Sequence, residues 1–151
     1  MIYDCKRMMM VLMAVLLVSG CASMGGSAVT DPAGPDKVVY HLNGGLDQAT
    51  NSMRNVRNHL EVNPKARIVV VAHALGVDYL MHGAKDTNGN PYEVAVQELN
   101  VQGVRFDVCL ITLRNRKLER KQFIHEATFV PSGVAEIARL QQREGYAYLR
   151  P

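Results

Sequence analysis

Apolar positions along this chain follow two different rhythms. "KVVYHL" (residues 37–42) is a short β-branched run, and "ARIVVVAH" (66–73) is apolar without alternation. The second run predicts a strand covered on both faces, as in a parallel sheet. "VRFDVCLI" (104–111) and "EATFV" (126–130) read as the third and fourth strands, and "YAYLR" (146–150) as a fifth, at an edge. Between the first two runs, Leu46, Ala49, Met53, Val56 and Leu60 recur at steps of three and four, the stripe of an amphipathic helix. Asp47 suits its N-cap or first turn, and Asn63-Pro64 stops it. "ALGVDYLMHG" (74–83) reads as a short helix weakened by Gly76, and "KDTNGN" as a turn. Asn90 is the expected cap of a helix with Pro91 at its first position, Tyr92, Ala95, Val96 and Leu99 inward, and Gly103 at its end. "TLRNRKLERKQF" is expected to be helical. A last helix runs from about Val134 to Glu144, with Gly133 as N-cap and Glu136 completing a capping box.

Strands alternating with helices predict an α/β layered fold with a mainly parallel sheet and right-handed crossovers. Every strand of such a sheet delivers its C-terminal end to the same edge, where ligand and catalytic groups gather. His41 and Asn43 end the first strand, His73 ends the second, and Cys109 lies near the end of the third. Residues distant in sequence are thereby brought to one crevice. A helix starting just after Cys109 would favour thiolate through its exposed N–H groups. Arg114, Arg116 and Lys117 would add positive potential, and Thr112 would offer a hydroxyl to the sulfur. The competing reading makes Cys109 a small buried hydrophobe and His41 and His73 hydrogen-bonded structural residues.

The N-terminus sets the compartment. Lys6 and Arg7 precede the apolar run "MMMVLMAVLLV" (8–18), and Ser19 and Gly20 precede Cys21. A charged start, a short apolar stretch and small residues before a cut describe a secretory signal peptide over residues 1–20. The run is short for a membrane span. "VSGC" resembles a bacterial lipobox, with Val18 where leucine is commoner, which implies acylation of Cys21; the alternative is an ordinary signal peptide cut elsewhere, for instance near "CASMGGSA". The small, Gly/Pro-bearing stretch "ASMGGSAVTDPAGPD" (22–36) is then a tether, and residues 37–151 are one domain. Cys5 departs with the leader, so Cys109 is the remaining free thiol, in an oxidising compartment. An intramolecular disulfide and a Cys-rich zinc site are both excluded. Loss of Asp4, Lys6 and Arg7 lowers the formal net charge of +3 by one, a balance that argues against nucleic-acid binding.

Other signals carry no chemistry. "DTNGNPYE" (86–93) starts like a calcium loop, but Pro91 replaces the required glycine and Gln97 the bidentate acid. "NGG" lacks dinucleotide spacing, Ser132 lacks a nucleophile-elbow context, and no histidine pair has zinc-motif spacing. His59, His82 and His125 read as surface or packing residues, and the basic run 114–121 as a solvated helix face.

"VVYHLNGG", "ARIVVVAHALGVDYLMHGAKD", "GVRFDVCLITL" and "VPSGVAEIARLQQREGYAYLRP" together resemble the DsrE/DsrF-like family over residues 37–151. The resemblance implies a three-layer α/β/α sandwich around a five-stranded, largely parallel sheet. It also implies assembly as trimers or hexamers, and no metal or organic cofactor. In the sulfur-relay members a cysteine matching Cys109 holds sulfane sulfur as a persulfide. His41, Asn43, His73 and Thr112 match the surrounding pattern without an assigned role. The expected protein is a sulfur carrier, lipid-anchored on the periplasmic side of a bacterial membrane, by default the outer one. It would exchange sulfur with donor and acceptor proteins or small thiols. The alternative is a non-catalytic oligomeric lipoprotein that binds a small ligand or partner, with Cys109 structural.

Overall fold

The computed structural model describes residues 34–151. The leader, Cys5, Cys21 and the tether up to residue 33 lie outside the described residues. Five strands form one sheet: β1 (Lys37–Leu42), β2 (Arg67–Ala72), β3 (Arg105–Cys109), β4 (Ala127–Val130) and β5 (Ala147–Leu149). Their order is β4-β3-β2-β1-β5, and every neighbouring pair is parallel. The helices are α1 (Leu46–Val62), α2 (Tyr92–Val101), α3 (Leu110–Arg116) and α4 (Gly133–Glu144), with 3-10 turns at Ala74–Leu80 and Arg120–Gln122.

The period of two along a strand divides the core. Val38, Tyr40 and Leu42 of β1, Ile68 and Val70 of β2, and Phe106 and Val108 of β3 pack against Met53, Val56 and Leu60 of α1 and Val96 and Leu99 of α2. The alternate residues Val39, Val69 and Val71 pack against Ile137 and Leu140 of α4. The central strands are therefore covered on both faces, which is why their sequences show no polar alternation. The result is the expected three-layer α/β/α sandwich.

Local differences from the sequence reading have identifiable causes. The third strand stops at Cys109, and Leu110 and Ile111 are already helical. Leu113 is buried in the larger core and Leu110 packs against it, an i, i+3 pair that only a helix delivers. The helix expected over 112–123 ends at Arg116. Lys117 adopts a left-handed conformation (φ 56°), and the N–H of Leu118 closes on the carbonyl of Leu113. Residues 74–80 form a 3-10 turn laid over the end of β1. A Cβ on Gly76 would sit 2.3 Å from the carbonyl oxygen of Leu42, so only glycine fits. Two helices, α2 and α4, start from caps one residue away from the expected ones, while Asp47 falls in the first turn of α1 as expected. Gly45 caps α1, with Asp47 in its first turn, and Pro91 rather than Asn90 caps α2. Ser132 rather than Gly133 caps α4, its Oγ accepting the N–H of Ala135 at 3.4 Å. With Ser132 as cap the third helical position is Ala135, so Glu136 completes no capping box, and its carboxylate accepts from Arg105 and Arg139 instead. The Asp86 carboxylate accepts the N–H groups of Asn88 and Asn90 at 2.9 and 2.8 Å, a turn cap rather than an ion loop.

Candidate thiol site at the sheet edge

Register and pleat place the candidate residues in a row. Ala72 pairs with Val108, so the next residues, His73 and Cys109, leave the sheet side by side. Tyr148 pairs with Val39, two residues before His41. Cys109, His73, His41 and Tyr148 thus follow one another across β3, β2, β1 and β5. They lie on the face that α4 covers, like Asp107, Val71 and Val39 below them.

Cys109 ends β3 and is the N-cap residue of α3. It is 5 % exposed, and that remnant opens onto a cleft of about 450 Å³. Burial pushes the thiol pKa up, but hydrogen bonds to the sulfur outweigh it. The N–H groups of Gly133, Thr112 and Ile111 and the hydroxyl of Thr112 hold the thiol below its ordinary value. The Thr112 hydroxyl oxygen accepts the N–H of Ala74 at 2.9 Å, which leaves its proton free for the sulfur. Gly133 reaches the thiol because it has no side chain. A Cβ there would lie 3.3 Å from the Cβ atoms of both Cys109 and His73.

The surroundings fix these donors. Ala74 is left-handed (φ 51°), a conformation that costs a non-glycine residue about 1 kcal/mol or more. Thr112 holds its N–H, and Arg116 donates to its carbonyl at 2.9 Å while pairing with Asp78 at 2.6 Å. On the other side, the fully buried Asp107 accepts from Arg105 at 2.9–3.1 Å, and Arg105 also reaches Glu136 of α4 at 2.9 Å. Burial raises the Asp107 pKa and the Arg105 guanidinium opposes it. This network ties α4 to β3 and so sets where Gly133 stands.

Leu75, Ile111 and Val134, 55 %, 38 % and 61 % exposed, border the cleft, with Ser132 on its lining and His73 in its wall. Two larger crevices of about 490 and 550 Å³ lie elsewhere and are lined by no cysteine. Of the three basic residues expected to raise the potential, Arg116 lines the cleft, already paired with Asp78. Arg114 and Lys117 are exposed and do not line it.

His41 and His73 meet directly. Their Nε2 atoms are 2.6 Å apart, their ring centroids 4.8 Å apart and their planes inclined by 27°, so the rings meet end to end. His41 Nδ1 lies 2.6 Å from the Tyr148 hydroxyl. Burial, then His73 and Arg150, push the His41 pKa down to about 4, and burial and Arg150 lower that of His73. Both rings are neutral at neutral pH, so one supplies an N–H and the other a lone pair. Asn43 stands apart: its Oδ1 accepts from Arg150 at 3.0 Å, and it does not line the cleft. The structure therefore joins Thr112 and His73 to Cys109, reaches His41 through His73, and pairs Asn43 with Arg150 outside the cleft lining. Cys21 lies outside the described residues. Sequence reading missed Gly133, Ser132, Tyr148 and Arg150. The "PSG" before a helix was a usable signal, since a Ser-Gly step at a strand's C-terminal end combines a cap with close backbone approach. Among the described residues, no group of three or more His, Cys, Asp or Glu side chains is placed to hold a metal ion.

Such a fold and edge define a class: small α/β proteins that present one hydrogen-bonded cysteine at the C-terminal rim of a parallel sheet. The chain belongs to the DsrE/DsrF-like family, whose pattern matches residues 37–151. It is similar to the solved structure of MTH1491 from Methanobacterium thermoautotrophicum, described as a protein of unknown function. The two are 35 % identical with a TM-score of 0.67, over 77 % of this chain and 99 % of that one. The ychN protein from E. coli shares the fold at 18 % identity and a TM-score of 0.65, over the same shares of each chain. No curated protein matches the sequence.

Proposed function

We propose that this protein is a sulfur carrier in which Cys109 holds sulfane sulfur as a persulfide. The observation that carries the reading is the placement of Cys109, at the end of β3 and the start of α3, against Gly133 and at the wall of an open cleft, where the backbone of Gly133, Thr112 and Ile111 and the Thr112 hydroxyl lower its pKa. These donors favour the thiolate as nucleophile and accept the negative sulfur of the loaded form. The thiolate attacks the outer sulfur of a donor persulfide, the donor S–S bond breaks, and the donor leaves as a thiolate. An acceptor thiol later takes the outer sulfur and releases Cys109. The activity is sulfurtransferase-like, with the protein itself as covalent carrier, and family membership supports it.

The proposal includes the protein's setting. The "VSGC" sequence supports acylation of Cys21 and a place on the periplasmic side of a bacterial membrane, by default the outer one. The partners are donor and acceptor proteins or small thiols, and the assembly is a homo-oligomer, trimer or hexamer. The apolar border at Leu75, Ile111 and Val134 supplies a surface for such contacts. A second reading, a non-catalytic binding lipoprotein with a structural Cys109, draws on the low exposure of that residue. Intact mass decides between them. Reduced protein treated with a persulfide donor gains one sulfur atom on Cys109, and Cys109→Ser gains none. A reduced thiol that takes up no sulfur contradicts the carrier reading.

A further inference from the structure

The carrier chemistry leaves a proton unassigned. When a donor alkyl persulfide gives up its outer sulfur, the departing alkyl thiolate, the base of a thiol with a pKa of about 8.5, leaves more slowly than an aryl thiolate, and a proton delivered as the bond breaks speeds its departure. None of the donors around Cys109 faces this need, because all of them point at the Cys109 sulfur itself. The row beside Cys109 does face it.

His73 forms one wall of the cleft. Its Cβ and that of Cys109 are each 3.3 Å from the point where a Gly133 Cβ would stand, so they are no more than twice that distance apart. Its Nε2 is bonded to His41 Nε2, and its Nδ1 has no protein partner among the described residues. His41 Nδ1 is bonded to the Tyr148 hydroxyl, and Tyr148 is 40 % exposed. A continuous chain of exchangeable protons thus runs from the cleft wall to solvent. We propose that His73, His41 and Tyr148 form a proton relay for sulfur transfer at Cys109, with His73 giving its proton to the departing thiolate. The proposal rests on the carrier reading.

The balance closes without a further reactant. The Cys109 thiolate attacks the outer sulfur of R–S–SH, a Cys109–S bond forms, and the donor S–S bond breaks with its electron pair on R–S. That thiolate takes the Nδ1 proton of His73. His73 Nε2 takes the Nε2 proton of His41, His41 Nδ1 takes the Tyr148 phenol proton, and water restores the phenol. Thiolate, persulfide and one proton become Cys109–S–SH and R–SH, with no change in total oxidation level. In the acceptor step the chain runs backward and removes the proton of the incoming thiol. A tautomeric relay needs both rings neutral. Burial and the positive charge of Arg150, the cation that acts on both rings, keep them so at neutral pH. His73 is the catalytic residue here, and His41 and Tyr148 position and recharge it.

Leaving-group dependence tests this in the full chain. Thiol–disulfide exchange at Cys109 is timed with an aryl disulfide, whose low-pKa thiolate leaves fast unaided, and with a dialkyl disulfide, whose higher-pKa thiolate leaves slowly and gains from a delivered proton. We expect His73→Gln to slow the dialkyl reaction by about a hundredfold and Tyr148→Phe and His41→Gln by about tenfold, at the low end of general-acid effects. The aryl reaction should stay within about twofold, the span expected when no proton is delivered. Equal losses with both probes would make the row structural and overturn the relay, as would no loss with either. Tyr148→Phe keeps the ring, so it reports even if a histidine variant folds poorly. Sulfur loading from a persulfide is followed separately. If the disulfide pattern holds while no sulfur loads, the carrier reading fails, and the row delivers a proton in thiol–disulfide exchange but not in sulfur transfer. If loading proceeds without the leaving-group pattern, the relay fails alone. If unsubstituted Cys109 reacts with neither disulfide, both fail.

Discussion

At residue 109 two opposing effects act on one atom. Burial pushes the thiol pKa up, and hydrogen bonding from Gly133, Thr112 and Ile111 outweighs it and leaves the pKa below its ordinary value. The histidines show burial winning instead. Both imidazoles are held neutral, His41 with a pKa of about 4 against an ordinary value of 6.5. That difference has a consequence for stability. Between those two values the unfolded chain binds a proton that folded His41 does not, so stability is full above about 6.5 and falls as pH drops toward 4. We expect the urea midpoint to decline across this window and His41→Gln to flatten the decline. Parallel pH profiles for the two proteins would show that His41 does not sense the fold in this way.

At the scale of elements, the site depends on how closely backbones approach one another. Gly133 lets α4 start against Cys109, and Gly76 lets the 3-10 turn lie on the end of β1. In Gly76→Ala the new Cβ meets a carbonyl oxygen at 2.3 Å, and a strand end cannot swing aside as a side chain would. The variant should lose about 1–3 kcal/mol, read as a lower denaturant midpoint, as overpacked sites do. An unchanged midpoint would mean that the turn is not held against β1. Much of this layer was legible in the sequence. The run 66–73 announced a two-sided strand, and His41, His73 and Cys109 were placed at one edge from strand ends alone. What stayed hidden was set by tertiary partners. "CLITL" fits a strand and a helix turn equally well, and only the burial of Leu113 selects the helix. Tyr148 and Arg150 joined the site because β5 pairs with β1, across more than a hundred residues of sequence.

For the molecule as a whole, three layers turn one sheet edge into a working surface. The cleft at that edge is bordered by Leu75, Ile111 and Val134, which the described chain leaves uncovered. If subunits or sulfur partners meet there, as proposed, Leu75→Asp combined with Val134→Asp should lower the sedimenting mass or weaken sulfur exchange. The urea midpoint should hold within about 0.5 kcal/mol per substitution, since both side chains are exposed. Unchanged association and unchanged exchange would place the contact surface elsewhere. The central claim is that Cys109 is a reactive thiolate in the folded protein. The most direct measurement is the rate of alkylation of Cys109 at mildly acidic pH, native against urea-unfolded. The account predicts faster reaction in the native state, because the folded thiol ionises at lower pH. A thiol that reacts only after unfolding would contradict it.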